Sequence, residues 1–591
     1  MKKRTLQKLL SCVLAGAMAA SMLVGCGSDD ADTAEVAEAA EDTEDAEDAE
    51  DAEDEVELDE NVVAGMDGWV AFENAVELQI PVYDRGEGST GCSDVVTNYW
   101  TNWVQENFGD KWNINVTYVP IGRSTVIADY NQLASTDSLP TICAEYDYDK
   151  LAGWAADGII VPYDQAEFKT IAPTYWQNMV DNGIDGYTKL IVDGEEDDYL
   201  VLGRRPYGNT NYRWTTWYRQ DWLEEAGFSE YPETTTELIK LYEKIQENHP
   251  GVYPAQLAKA SGAGLDQNYG YRDYPQDETV WATTGTYEIP ALSTEAQKRF
   301  LKLNNYFYQN GMLDPEYYLT ETTDYESKFI NGQAFTYTAY IGSNLPVLDS
   351  FYETNPDAKL GVVVNSGKFT EDKTWGTNNS YRPNNIFGAM VGFSSDAGED
   401  EIKAAMMYLE WMSQDDVLFT LTWGEKGINY TIGEDGNPVA KSNEELEADG
   451  NMDYQQGHNN NVDYWMLVTA SKSFGDIEAD VKAETPVGTP QDFYEDILAN
   501  YYGQLALYEA GYANSDCAFG AQVESATEYK ETLYSEKYPE YRDELIQFTG
   551  SDEDWDALYD ELSQKYLDDG YQEIIDEKLD LYENDLSTKL K

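Results

Sequence analysis

Histidine is almost missing from this 591-residue chain: only His249 and His458 occur, far apart in sequence. No HExxH is present, so the usual helical zinc-protease site is absent. Neither GxSxG nor GxxxxGK[ST] occurs, which removes the nucleophile elbow and the phosphate loop. Cysteine is scarce, at five residues, and none shows CxxC spacing, which argues against zinc or dithiol redox chemistry. Basic residues are few: 38 Lys and Arg face 112 Asp and Glu, for a net charge of −74. Such a surface repels phosphate backbones and anionic lipid, so nucleic acid and direct membrane-surface binding are excluded as expected partners. Carboxylate pairs of the glycosidase kind survive this screen, because so many acidic residues make chance pairs certain.

Long apolar runs are missing too. The strongest, "LLSCVLAGAMAASMLV" at residues 9 to 24, follows the basic head "MKKRTLQK". A membrane-spanning helix needs about 20 apolar residues, so the run is short for a span and fits a secretory signal peptide over 1–25. Its ending, Leu23-Val24-Gly25-Cys26, resembles a lipobox, the site at which bacterial lipoproteins are cut and lipidated on the cysteine. Residues 29 to 60 then carry 19 Asp or Glu and no Lys or Arg. Such a segment buries too little apolar surface to offset its ordering entropy, and its charges repel one another. Residues 26–60 therefore read as a lipidated Cys26 with a disordered acidic tether, reaching on the order of 100 Å at most. An acidic interaction tail is the competing reading. Without the tether's 19 acidic residues and the leader's four basic ones, the net charge is still −59.

The remaining residues are too many for one compact core and enough for two or three domains. "AVELQI" alternates as a strand does, and "WNINVTYVPI" places Trp112, Ile114, Val116 and Tyr118 on one face. Between them "DVVTNYWTNWVQENFG" has helical spacing and is expected to stop near Gly109, so the three form a parallel crossover unit. "NQLASTDSLPTICAEYD" reads as a helix end, a turn and a third strand. "PETTTELIKLYEKI" opens a helix at Thr234 with Glu237 three residues on. "DEDWD" at 552–556 has Ala557 where a calcium loop needs Gly and Ser563 where it needs Glu, so it is a helix start. The helix places Trp555, Leu558, Tyr559, Leu562 and Tyr566 on one face, and Gly570 divides it from a second. Cys12 leaves with the signal and Cys26 with the lipid. Cys92, Cys143 and Cys517 allow at most one disulfide and are expected as buried thiols.

Four segments resemble a known family. "NQLASTDSLPTI" (131–142), "WYRQDWLEEAGFSEYPETTTELIKLYEKI" (217–245), "FYQNGMLDPEYY" with "KFINGQAFTYTAYIG" (307–342), and "WGEKGINYTIGEDGNPV" (423–439) are similar, in order, to stretches of extracellular solute-binding proteins of bacterial carbohydrate-type ABC importers. Thr141 stands where that pattern has Asp, and Lys426 where it commonly has Glu. The resemblance implies an α/β, two-lobe periplasmic-binding-protein-like fold of type II, with a hinge and a ligand clamped between lobes. The expected division is 61–207 plus about 375–415 for the first lobe. About 210–370 plus 416–591, with extra C-terminal helices, makes the second.

Sugars are met by Tyr or Trp platforms beside Asp, Asn, Gln and Arg, whose donors and acceptors sit at fixed angles. Residues just after strands are therefore the candidates. The first loop offers Tyr83, Asp84 and Arg85, and the third offers Glu145, Tyr146 and Asp147. Farther on come Trp214 and Trp217, Tyr340 and Ser343, Trp375, Tyr381 and Arg382, and Trp423. The expected protein is a monomeric receptor without cofactor, metal or enzymatic activity, on the extracytoplasmic face of the cell membrane. It touches the membrane only through its lipid, and its partners are a carbohydrate, read as an oligosaccharide, and ABC permease subunits. Chain length beyond a typical two-lobe receptor suggests an enlarged lobe for a longer ligand. The alternatives are a peptide or other solute receptor of the same fold, and a surface glycan-degrading enzyme. Replacing Cys26 with Ala is expected to abolish incorporation of labelled palmitate and leave an unlipidated protein; label still entering the variant contradicts the lipobox.

Overall fold

The structure is a computed structural model. It describes residues 65–84, 94–122, 125–257, 277–284, 289–320, 322–341, 345–364, 372–376, 383–434, 436–441, 443–454, 464–470, 476–484, 491–512, 517–584 and 586–589. Cys26, Arg85, Cys92, Ser343, Tyr381 and Arg382 lie outside the described residues.

Strand β1 (Val76–Asp84) alternates buried and exposed in its first half and is buried through Ile80–Tyr83, as a strand covered on both faces must be. It pairs in parallel with β2 (Ile114–Gly122), Val76 opposite Ile114. The crossover helix α1 (Tyr99–Val104) starts at Asn98, whose side chain accepts from the N–H groups of Trp100 and Thr101. It does not stop at Gly109. A π turn (Gln105–Gly109) and a last turn (Asp110–Trp112) carry it on to Asn113, which takes the left-handed conformation at φ 58°. Gly109 serves close approach instead: a Cβ there would stand 2.5 Å from the Ile114 carbonyl oxygen.

Next come α2 (Val126–Ser135) and β3 (Ile142–Glu145), as the sequence implies. Thr141 has visible work, accepting at Oγ1 from the Gln79 N–H at 3.1 Å and so tying β1 to the start of β3. Helix α3 (Tyr148–Ala156) is capped by Asp147, and β4 (Ile160–Val161) follows. Strands β5 (Lys189–Val192) and β6 (Glu195–Asp198) form a hairpin, turning on Asp193-Gly194, both at positive φ. Strand β7 (Val201–Arg204) completes this stretch.

The chain then builds a second sheet. Strand β8 (Trp214–Arg219) lies between β9 (Thr336–Tyr340) and β10 (Leu360–Val362), antiparallel to both. Helix α4 (Thr235–Asn248) is capped by Thr234, and α5 (Glu295–Gln309) by Thr294. Afterwards β11 (Phe387–Ser394), buried at every position, returns to the first sheet and pairs antiparallel with β3, β4 and β7. Helices α6 (Glu399–Met412) and α7 (Asp415–Trp423) follow, then the hairpin β12 (Tyr430–Ile432) and β13 (Pro438–Ala440).

Two bodies of core result. One gathers β1–β4, β7, β11 and α6. The other, in two parts, gathers β8–β10, α4, α5 and the C-terminal helices. The packing departs from the expected division after 416: Val417, Leu418, Leu421 and Tyr464–Val468 bury in the first core. The apolar face of α7 continues that of α6, and chain order alone does not reveal this.

Helix α8 (Gln491–Glu509) packs on the second sheet, and β14 (Cys517–Phe519) then touches the first body, with Ala518 in its core. Helices α9 (Glu524–Glu531), α10 (Tyr538–Gln547), α11 (Asp552–Tyr566) and α12 (Gln572–Glu583) follow. Of these, α10 and α11 pack on α5, α12 packs on the helix Glu278–Thr284, and β15 (Ser587–Lys589) pairs with β14. "DEDWD" does open α11, capped by the Ser551 hydroxyl. Trp555, Tyr559, Leu562 and Tyr566 are buried, and Gly570 breaks the helix at φ 120°. Cys143 is a buried thiol, its pKa raised by burial; Cys517 is half-buried.

The segments that join the two bodies run side by side. Asn384 N–H reaches the Thr210 carbonyl at 3.4 Å, and Ala470 N–H donates to the Arg204 carbonyl at 2.9 Å. Gly208 is forced here, since a Cβ would meet the Asn385 carbonyl oxygen at 2.6 Å. Gly208→Ala is therefore expected to cost about 1–3 kcal/mol. Gly186→Ala, with nothing within 4 Å of its Cβ, should stay within about 0.5 kcal/mol of the parent. Urea denaturation of both variants checks the contrast.

Candidate functional site

Register locates the ends of the strands. Glu145 pairs with Met390 and Arg204 with Phe387, so the carboxyl ends of β3 and β7 meet the start of β11, where the chain arrives from the second body. Open α/β sheets bind ligands at this kind of edge. Four expected residues gather there. The rings of Tyr83 and Tyr146 stack with centroids 6.3 Å apart. The Tyr83 hydroxyl points to Glu145 Oε2 at 3.5 Å, and the Tyr146 N–H donates to Glu145 Oε1 at 2.9 Å. Asp84 ends β1 exposed.

Glu145 is 2% exposed. A carboxylate so enclosed needs donors and a counter-charge, and Lys150 Nζ approaches Oε1 at 3.9 Å. Asp147 is spent on structure, capping α3 and pairing with Lys150 at 3.5 Å. The half-buried ring of Tyr146 and the exposed carboxylate of Asp84 are the groups that can meet a ligand.

Lys530 joins this group without any sequence signal. It comes from α9, at the other end of the chain. Burial lowers its ammonium pKa, and Asp147, Asp149 and Glu145 pull in the opposite direction. Gln522 lies near Gly153 of α3, and Ile191 N–H donates to the Gly520 carbonyl at 2.8 Å. The C-terminal segment thus packs on α3 and β5 and brings Lys530 to the strand-end group.

The other expected residues fall elsewhere. Trp214 is half-buried at the start of β8, directly opposite Tyr340 of β9. Trp217 is fully buried, its indole N–H donating to Thr215 Oγ1 at 2.8 Å and its ring against Phe329 and Tyr337. Trp423 is 2% exposed between Phe419 and Tyr430. No face of either indole is open, and both act as core. Trp375 is half-buried on Tyr306 of α5, on a turn that Asp372 fastens to Thr236 of α4. Burial works to raise the Asp372 carboxyl pKa, but the N–H donors of Thr236, Trp375 and Thr374 outweigh it and hold it low.

Among the described residues, no group of His, Cys, Asp and Glu is arranged to hold a metal ion, and no helix is long and apolar enough to cross a membrane.

The model of the bacterial extracellular solute-binding protein family matches residues 95–417. This chain belongs to that family. Its members bind substrates rather than transform them. The polygalacturonan/rhamnogalacturonan-binding protein YtcQ of Bacillus subtilis is 23% identical over 229 residues, 37% of this chain and 43% of that protein. The match thus spans less than half the length of that curated relative. An HMO-binding ABC-transporter-associated solute-binding protein from Bifidobacterium longum infantis superposes with TM-score 0.56 at 12% identity, covering 87% of this chain and 99% of the other. An extracellular solute-binding protein from Bifidobacterium longum subsp. infantis gives 0.58 at 12% identity, covering 88% and 100%. At such identity the likeness is one of fold: two α/β lobes of the type II periplasmic-binding-protein-like kind, carrying extra C-terminal helices.

The core and strand-end tryptophans and tyrosines are separable by experiment. Trp217→Ala is expected to cost about 3–5 kcal/mol in stability and to leave the affinity of the folded fraction unchanged. Tyr146→Ala should do the reverse. Paired melting curves and calorimetric titrations with a bound solute distinguish them.

Proposed function

We propose that this protein is a lipid-anchored receptor that captures a carbohydrate by lobe closure and delivers it to an ABC transporter permease. The observation that carries the reading is the strand-end group of the first lobe. The half-buried ring of Tyr146, backed by buried Tyr83 and Glu145, and the exposed carboxylate of Asp84 at the end of β1 offer an apolar ring face and a hydroxyl acceptor. A pyranose presents the matching surfaces, a C–H face and a rim of hydroxyls. The named ligands of YtcQ and of the Bifidobacterium protein support this chemistry.

Within this reading Asp84, Glu145 and Tyr146 belong to the first-lobe half of the site, with Arg85 beside them in sequence. Trp214 and Tyr340, adjacent across β8 and β9, supply the second-lobe half, with Ser343 three residues on in sequence. Tyr381 and Arg382, directly before the joining segment 383–386 in sequence, are assigned to the same site. Cys26 holds the receptor at the membrane, and the acidic tether gives it reach to the permease.

Ligand that prefers a closed state stabilises the native protein by mass action. At a ligand concentration about a hundredfold above Kd, the gain is about 2.7 kcal/mol. Thermal shift against a panel of oligosaccharides and peptides should find the cognate class. Small-angle scattering should then show the radius of gyration falling on saturation. Stabilisation by peptides alone contradicts the carbohydrate reading, and an unchanged scattering curve with a tightly bound sugar contradicts closure.

A further inference from the structure

A second group of aromatic and acidic side chains is assembled from three segments of the first lobe. Tyr99 is the first residue of α1, the helix that carries the chain from β1 to its parallel partner β2. Tyr454 meets it with ring centroids 4.4 Å apart and planes at 46°. Glu425 is the third member, its Oε1 3.5 Å from the Tyr99 hydroxyl. All three are half-buried.

The support beneath them is buried. Asn429, 1% exposed, donates through Nδ2 to the Tyr454 carbonyl and accepts at Oδ1 from the Glu425 N–H at 2.9 Å. Trp100, also 1% exposed, gives its indole N–H to the same Tyr454 carbonyl at 3.2 Å. Gly424, at φ 80°, makes room: a Cβ there would stand 2.4 Å from the Asn429 side chain. One buried amide thus fixes two half-open groups relative to each other. Groups preorganised in this way lose little freedom on binding and contribute more of their contact energy to affinity.

The charge around the group selects its ligand. Burial raises the Tyr99 hydroxyl pKa, and Glu425, Tyr454 and Glu106 push it the same way, so the phenol remains a donor at neutral pH. Carboxylates accept hydroxyl donors and repel other carboxylates.

We propose that Tyr99, Tyr454 and Glu425 form an additional carbohydrate platform, taking a neutral sugar residue of the ligand beyond those held at the Tyr83–Tyr146 edge. The proposal rests on the carbohydrate reading above and deepens it. The tyrosine rings meet the C–H face of the sugar, and Glu425 accepts from its hydroxyls. The ligand class is then a neutral oligosaccharide long enough to reach both places, in contrast to a polyuronate.

The test is calorimetry on the full-length protein with gluco-, manno-, xylo- and galacto-oligosaccharides from disaccharide to hexasaccharide, and with oligogalacturonides of the same lengths. In the series that binds, the hexasaccharide should bind more tightly than the disaccharide. Tyr454→Ala should remove about tenfold of that gain and leave the disaccharide unchanged. Glu425→Gln keeps the shape and removes the charge, so it should narrow the preference for neutral over acidic hexasaccharide at an unchanged melting temperature. The platform is overturned if both variants keep the wild-type length gain and preference, or if wild-type protein binds oligogalacturonides more tightly than every neutral series. Wild-type protein that binds no oligosaccharide overturns the carbohydrate reading itself, whereas insensitive variants overturn the platform alone.

Discussion

Strand β11 has every side chain buried and takes its hydrogen-bond partners from β3, β4 and β7, all of which precede the second lobe in the chain. An apolar strand of this kind is stable only with both faces covered and both edges paired. The chain must therefore leave the first lobe, build the second, and come back to the place it left. That return brings the joining segments side by side, close enough that Gly208 tolerates no Cβ against Asn385. It also puts the ends of β3 and β7 next to the lobe boundary, which positions Glu145 and Tyr146.

The same economy of buried polar groups shapes the site. Glu145 is enclosed and answered by the Tyr146 N–H, the Tyr83 hydroxyl and Lys150. Asn429 is enclosed and holds two chain segments at once. In each case a buried polar side chain, satisfied by backbone and neighbour, fixes a half-open aromatic ring. The C-terminal helices add a further constraint. Their core is shared with α5 of the second lobe, yet Ala518 and Gly520 are fastened to the first. The relative position of the lobes depends on this strap as well as on the joining segments.

Local order was legible where period and capping carry it. The β1–α1–β2 crossover, the Thr234 cap and the amphipathic stripe from Trp555 to Tyr566 follow from spacing alone. Gly109 misled because its glycine answers a close contact with Ile114, and a C-terminal stop looks the same in sequence. Trp217 and Trp423 misled for a related reason. An aromatic within a strand, as Trp217 is, or at a helix end, as Trp423 is, is written identically whether its ring faces a ligand or a core.

The sequence by itself determined an acidic α/β chain with an order of segments shared by solute-binding proteins, because composition, periodicity and motif order are local properties. Tertiary structure decided which aromatics stay open, which carboxylates are enclosed, that Lys530 comes near Glu145, and that Tyr99, Glu425 and Tyr454 meet at all. Those facts depend on contacts between residues hundreds of positions apart. No local pattern encodes them, since burial belongs to the packed assembly and not to the residue.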